Sequence, residues 1–403
     1  YFVSKNSTTA WYVPSTSQAD SPENRNLPEA NYFRDPELFQ NHSTGKQAAL
    51  KGAEEAKAEP FLKPDSTDIV DFTAQLQTTH IGPIEVVTID MPIDGVVSFV
   101  GSFAAGETLS PSTNPSLATL CAAMLDQGTQ TKDRFTIAEW LDNLGASMQF
   151  RADAHALNFS GRFLREDAGA VIALLAEQLR EPAFDPDALD AFQSRQQANL
   201  MQARHNPSYL AGSHLSRTLY PKTHPNYTET IDDLLAALDT TSIADIRAFH
   251  AQHYGPHSMR LVFAGDIDFQ QLTAAVESAF GDWRGGVDYI AQYPLPRPTE
   301  HTETRLEVAD KTSVSAQLAQ YTGLRRTHTD YLPFSIGNYI LGGSFHSRLM
   351  TEVRKKRGLT YHIGTRHSGD ILTPGHWMLD ASFAPSMLEQ GIEATDAVIR
   401  QWH

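Results

Sequence analysis

The chain has very little cysteine: one residue, Cys121, in 403. A lone thiol excludes an internal disulfide, and its place in an apolar helical run makes it a small buried hydrophobe. Such cysteine usage suits a reducing compartment and equally an exported bacterial protein that avoids disulfides. An exported, periplasmic setting is favoured over the cytoplasm. There is no run of about 18 apolar residues, so no membrane-spanning helix is expected. The start, Tyr1-Phe2-Val3-Ser4-Lys5, lacks the basic end and apolar centre of a signal peptide. Basic residues are also scarce, with 32 Lys and Arg against 48 Asp and Glu, for a formal charge of −16. That balance argues against nucleic acid as a partner, since phosphate contact needs clustered cations, and it otherwise keeps the chain soluble. Gly-x-Ser-x-Gly, Walker-type and Cys-x-x-Cys motifs are all missing.

What is there is enough for two or more domains with ample core: 41% hydrophobic and 20% charged residues over this length. Residues 1–14 read as a terminal strand closed by Trp11-Tyr12-Val13-Pro14. Residues 15–65 are polar and broken by Pro and Asn, the composition of a linker, with room for one short helix over 45–58. A repeating order then begins. Ile84–Met91 and Val96–Phe103 are rich in β-branched residues and read as strands. Asn114–Gln127 and Ile137–Leu144 read as helices, the first capped by Asn114. Met148–Arg151 and Ala156–Phe163 read as paired strands. Helices follow over 167–180, 186–204, 208–219, 229–238 and 242–253, then a strand over Met259–Ala264 and a helix over Phe269–Phe280.

A Pro-rich connector, 286–300, precedes a second round. Glu303–Val308 and Ser313–Tyr321 are strands, 330–342 and 345–356 helices, Tyr361–Arg366 and His376–Phe383 strands, and Leu388–Trp402 a helix. The fold class is α+β: two tandem similar units, 66–285 and 301–403, each a mostly antiparallel sheet with helices packed on one face. The second round stops before its last helices. The chain opens on a strand without Met and ends inside a helix at Gln401-Trp402-His403, which reads as a piece of a longer precursor or a processed product.

One stretch, Gly342–Tyr361, is the most informative. It reads as a glycine turn, a basic helix ending on Arg357-Gly358-Leu359, and a strand opening on Tyr361. The turn lets Arg354 and Tyr361 converge. A guanidinium and a phenol both donate hydrogen bonds, so the pair suits a substrate carbonyl or its developing oxyanion. Two plainer roles stand beside that one: Arg354 paired with Glu352 or with a partner's carboxylate, and Tyr361 merely packed.

This stretch closely resembles the Arg/Tyr segment of pitrilysin/insulinase-type zinc peptidases, the inverzincins. Gly101–Gly106 with Leu117–Thr129, His224-Pro225-Asn226-Tyr227 and the Leu261–Asp266 strand follow in the same order, and together they cover most of residues 66–403. The resemblance implies a clamshell of two halves, each with two α+β units. One half holds zinc through an inverted His-x-x-Glu-His helix and a distal Glu; the other supplies the Arg and Tyr. Neither His-x-x-Glu-His nor His-Glu-x-x-His occurs here. Thr119, Ala122 and Ala123 stand where the ligands and base would be, and methyl or hydroxyl groups do not replace imidazole on zinc. The distal-Glu region, Gln196-Gln197-Ala198-Asn199, is amide-rich. The chain is therefore expected to be the zinc-free, C-terminal half, with 1–14 as the tail of a preceding half.

On this resemblance the expected function is part of a zinc-dependent endopeptidase that degrades or processes peptides. Arg354 and Tyr361 would be its catalytic and substrate-binding residues, with no metal ligand in this chain, zinc held by the N-terminal half, and the fragment inactive alone. The alternative is a catalytically inactive structural, chaperone-like or partner subunit. Other candidates have plain readings. His250, His253 and His257 lack a nearby carboxylate or thiolate and suit surface or capping roles. His362 and His367 flank the Tyr361 strand, within reach of a bound peptide on this reading. Asp232, Asp233 and Asp239 suit helix ends. Lys355, Lys356 and Arg357 suit a solvated helix face.

Overall fold

Buried residues at every second position, many of them Phe, explain the first sheet. The computed structural model describes residues 8–14 (backbone only), 75–91, 95–290, 293, 294, 296, 301–369 and 371–402. The expected linker 15–65, with its short helix, and much of the Pro-rich connector lie outside the described residues. Those described form one compact unit. The strands are β1 (Thr8–Pro14), β2 (Leu76–Ile81), β3 (Ile84–Asp90), β4 (Val96–Phe103), β5 (Ser147–Ala152), β6 (Leu157–Leu164), β7 (Arg260–Gly265), β8 (Thr302–Val308), β9 (Val314–Tyr321), β10 (Thr360–His367) and β11 (His376–Phe383). They make two sheets, in the orders β2-β3-β7-β4-β6-β5 and β10-β11-β9-β1-β8.

In β4 the buried residues are Val97, Phe99, Gly101 and Phe103, alternating with exposed ones. Phe159 and Phe163 of β6 and Phe263 of β7 meet them on the same face, with Phe99 and Phe163 ring centroids 5.8 Å apart. That period of two buries one face of the sheet. The helices between β4 and the second sheet are α1 (Leu117–Ala123), α2 (Arg134–Asn143), α3 (Ala168–Arg180), α4 (Pro186–Ala203), α5 (Pro207–Leu219), α6 (Ile231–Thr240), α7 (Ile243–His253) and α8 (Phe269–Phe280), and α5 packs on the second sheet instead of the first. Several start on side-chain caps. Asp133 accepts from Thr136 N–H, Asp268 from Gln271 N–H, and Ser242 with Asp245 forms a capping box.

The first helix is shorter than expected. Asn114 does not cap it: its side-chain amide donates to Thr241 Oγ1 at 2.7 Å. The helix begins at Leu117, and the Ser110 hydroxyl accepts from Ala118 N–H. β2 is a strand that periodicity did not suggest, because most of its residues are exposed and polar.

The second sheet carries α9 (Tyr331–Leu341), a short helix at Met350–Lys356 and α10 (Leu388–Trp402) over a core of Trp377, Leu349, Val353, Ile363 and Phe383. Its other face is met by α5: Leu215 and Leu219 pack on Ala319 and Met378. β9 is accordingly buried at nearly every position. Residues 8–14 do form a strand, and it lies inside this second sheet. β1 runs parallel to β8 and antiparallel to β9. β7 holds the matching position in the first sheet, parallel to β3 and antiparallel to β4.

Candidate functional site

The site is built at the edge of the second sheet by one continuous piece of chain. α9 ends on Gly342-Gly343, which turn against β10. Thr365 N–H donates to Gly342 O at 3.1 Å, and Asn338 Nδ2 donates to Thr365 O at 3.3 Å. A Cβ on Gly342 would stand 2.5 Å from Thr365 Oγ1, so the contact requires glycine. Trp377 Nε1 donates to Asn338 Oδ1 at 2.9 Å, fixing this corner to the sheet.

The helix expected over 345–356 starts late and is wound differently. Residues 342–347 are turns, Ser347 accepts from Thr351 N–H, and Met350–Lys356 is a π-helix. It closes where Gly358 and Leu359 donate to Arg354 O and Val353 O, with Gly358 at φ +63°. π-wound turns turn side chains away from their α-helical direction and recur at functional sites. Next, β10 pairs Thr360 with Phe383 and His362 with Ser382, so Tyr361 is the extra residue of a β-bulge. The Thr360 hydroxyl spans the bulge, within hydrogen-bond reach of His362 O and Ser382 O.

These two irregularities bring the expected pair together. The Arg354 guanidinium lies over the Tyr361 ring, 5.0 Å from its centroid, and over the Phe345 ring at 5.0 Å as well. Lys355 Nζ is 4.7 Å from the Phe345 centroid. Rings hold a cation without accepting its strong hydrogen bonds. Arg354 has no ion pair among the described residues, because Glu352 is taken by Lys356 at 2.6 Å. The plainer reading of Arg354, a pair with Glu352, is thus not what the structure shows. Tyr361 is 74% exposed and Phe345 56%, so neither ring is core. The site offers five guanidinium N–H donors and a phenol to whatever enters. Phe345 was not singled out from the sequence; its position just past Gly342-Gly343 is the signal that marks it.

The remaining candidates lie elsewhere. Thr119 donates to Glu107 at 2.7 Å, Ala122 is buried in the first core, and Ala123 offers a methyl group. Burial pushes the Glu107 carboxyl up. Gln197 on α4 donates to Asp239, and no group of three metal-ligating side chains exists among the described residues. These residues do not fit a zinc ion. His250 bonds Leu179 O at 2.8 Å, and burial pushes both His250 and His253 down, toward neutrality. His257 faces Asp288. His362 pairs with Asp380, which also takes Arg366, while His367 bonds Thr322 and lies against Tyr331 and Phe334. Asp232 pairs with Arg204, and Asp233 meets the Thr230 cap.

A polar joint between the end of α5 and the second sheet went unread in the sequence. At the start of β11, Tyr220 OH and Ser368 Oγ both approach His376 Nδ1, at 2.7 and 2.9 Å. Tyr220 stacks on His224, of the His-Pro-Asn-Tyr run. Burial, aided by the His367, Arg366 and His224 charges, pushes His376 down to about 4. Its imidazole is therefore neutral at ordinary pH.

Comparison with known proteins places this architecture. Residues 86–229 match the family model for insulinase (peptidase family M16), and residues 240–402 match the model for the peptidase M16 inactive domain. A non-peptidase homolog, YmxG, of Helicobacter pylori is 24% identical over 275 residues, 66% of this chain and 60% of that protein. An uncharacterized zinc protease of Streptomyces coelicolor is 25% identical over 305 residues, 73% of this chain and 64% of that one. The chain thus spans about three fifths of the length of these curated relatives. The crystal structure of a peptidase M16 inactive domain from Pseudomonas fluorescens superposes with a TM-score of 0.71 at 26% identity, covering 81% of this chain and 79% of that one. The periplasmic protease PqqL of Escherichia coli shares the fold, with a TM-score of 0.66 over 91% of this chain and 41% of its own. With both sheets matched in order, the chain belongs to the insulinase, or M16, peptidase family.

Proposed function

We propose that this chain is the zinc-free part of an M16 endopeptidase and that it grips the peptide substrate at Arg354 and Tyr361. The observation that carries the reading is the state of Arg354. Its guanidinium is held over two rings while its donors meet no carboxylate among the described residues, beside an exposed phenol. Such preorganised donors suit a peptide carbonyl on which negative charge develops. The metal and the attacking water belong to another part of the enzyme, since Thr119, Ala122 and Ala123 cannot bind zinc. The two parts must close on each other around the peptide.

The test is kinetic and uses the complete enzyme, with its zinc-bearing half. Tyr361→Phe removes one hydroxyl at an exposed position, and losing such a donor typically lowers the rate about 10²–10³-fold. Arg354→Lys keeps the charge and loses the fork, so kcat/KM should also fall. Melting temperature should hold in both. Full activity in Tyr361→Phe would return the pair to a structural role.

A second reading has its own support. One relative is named a non-peptidase homolog, and one matched model is that of an inactive domain. On that reading the chain binds peptides or a partner subunit without cleavage. Peptide binding with no hydrolysis by the zinc-supplemented complete protein would favour it.

A further inference from the structure

On the reading that Arg354 grips the substrate, something must hold its guanidinium in place without using it up. A long cationic side chain near a helix end samples many rotamers, and a donor that acts on a transition state has to be fixed before the substrate arrives. A carboxylate is the common partner, but it would occupy the N–H groups and cancel the charge. The structure withholds one. Glu352 is taken by Lys356, and Asp380 on β11 by His362 and Arg366. Arg354 meets two rings instead, Phe345 and Tyr361, each with its centroid 5.0 Å from the guanidinium carbon.

Of the two, Tyr361 has a hydroxyl of its own to offer. Phe345 has no polar atom, so it can serve the reaction only through its ring. The turn that carries this ring is tied down at both ends. Gly343 N–H donates to Asn338 O and Tyr339 O, at 3.1 Å each, and a Cβ on Gly343 would stand 2.7 Å from Tyr339 Cα. At the other end Ser347 is buried; its N–H donates to Ser344 O at 3.1 Å, and its Oγ accepts from Met350 N–H. Lys355 Nζ shares the ring, 4.7 Å from the centroid.

We propose that Phe345 is a positioning residue: its ring fixes the Arg354 guanidinium for the substrate carbonyl and leaves the N–H donors free. The negative face of the ring attracts the cation through its quadrupole and accepts none of the strong hydrogen bonds that a carboxylate would take. Phe345 acts on the rate through Arg354 and does not itself touch the reacting atoms.

The test uses the complete enzyme, with its zinc-bearing half, on a peptide that it cleaves. Replacing Phe345 by mono-, di- and trifluorophenylalanine keeps the shape and weakens the negative face of the ring stepwise. The rate constant kcat should fall with each fluorine, by about three- to tenfold at the third, with KM little changed and melting temperature held. Phe345→Leu should lose about as much, and Phe345→Tyr should keep the full rate. In an Arg354→Ala background, followed by single turnover, fluorination should change nothing; in a Lys355→Gln background its effect should persist. A flat fluorine series, a loss in KM alone, or an undiminished loss in the Arg354→Ala background overturns the positioning role and leaves Arg354 as a substrate group. Full activity in Arg354→Ala, or no cleavage by the unsubstituted enzyme, overturns the reading of the site on which it rests.

Discussion

The two sheets carry the same succession of elements as far as the helix after β6 and β11, and they differ where the second one breaks rank. In the first, α1 and α2 lead into β5, which pairs with β6 in unbroken register. The helix positions that a zinc site would need are filled by Thr119, Ala122 and Ala123, and the side chains there serve packing. In the second, α9 and the following helix lead into β10, and both the helix and the strand are irregular at the residues of interest. Arg354 sits in the π-wound turn and Tyr361 in the bulge. Regular backbone went with core-building, and departures from regularity went with exposed, unspent donors.

The strongest way to break this comparison is to damage the core under the site. Trp377 is 2% exposed and anchors Asn338. Trp377→Ala should cost about 3–5 kcal/mol by urea denaturation. Amide exchange should then rise in β10 and β11 well above β4 and β6; an equal rise in both sheets would mean that the two share one cooperative core.

Acid offers a second handle. His376 is pushed down to about 4 in the fold, below its ordinary 6.5, so folding favours the neutral ring. Its contribution is present above about pH 6.5 and is lost as pH falls toward 4, a loss of about 3 kcal/mol once both states are protonated. His376→Asn should melt with a flatter pH profile over that window. Profiles that stay parallel would remove His376 as the cause.

Gly342→Ala should cost about 1–3 kcal/mol, because the added methyl meets Thr365. It should also weaken peptide binding, by tilting the turn that carries Phe345. Unchanged melting would show that the turn yields freely. The smallest effect belongs to the first sheet. Thr119→Ala loses one hydrogen bond to Glu107, worth about 1 kcal/mol. Metal content after dialysis should be unaltered, and a tightly held zinc lost in this variant would overturn the assignment of a zinc-free sheet.

Most of this fold was legible because each element declares itself over a short window. Alternation in Val96–Phe103, the apolar run of α3 and the Asp268-capped run of α8 needed no distant information. β2 was missed because its residues are polar, so a strand defined by backbone pairing to β3 left little hydrophobic trace. The seat of β1 within the second sheet depends on partners roughly 290 residues away, which local patterns do not encode. At the site, Arg354 and Tyr361 were found through family likeness and the turn between them. The shared Phe345 ring, the π winding and the bulge were not, since each arises from how one segment docks on another. The Tyr220–His376–Ser368 joint escaped for the same reason: three polar residues spread over 156 positions show no spacing to read.

The π-helix and the bulge have a common arithmetic. Each is what a regular element becomes when one residue is inserted into it. A single deletion in each would restore an ordinary helix and an ordinary strand, at little cost to the core beneath. It would also swing Arg354 by about a quarter turn and send Tyr361 to the other side of its strand. The pairing of guanidinium and phenol is therefore written in chain length as much as in residue identity. An alignment of relatives that closes those gaps for neatness would erase the site while keeping both residues.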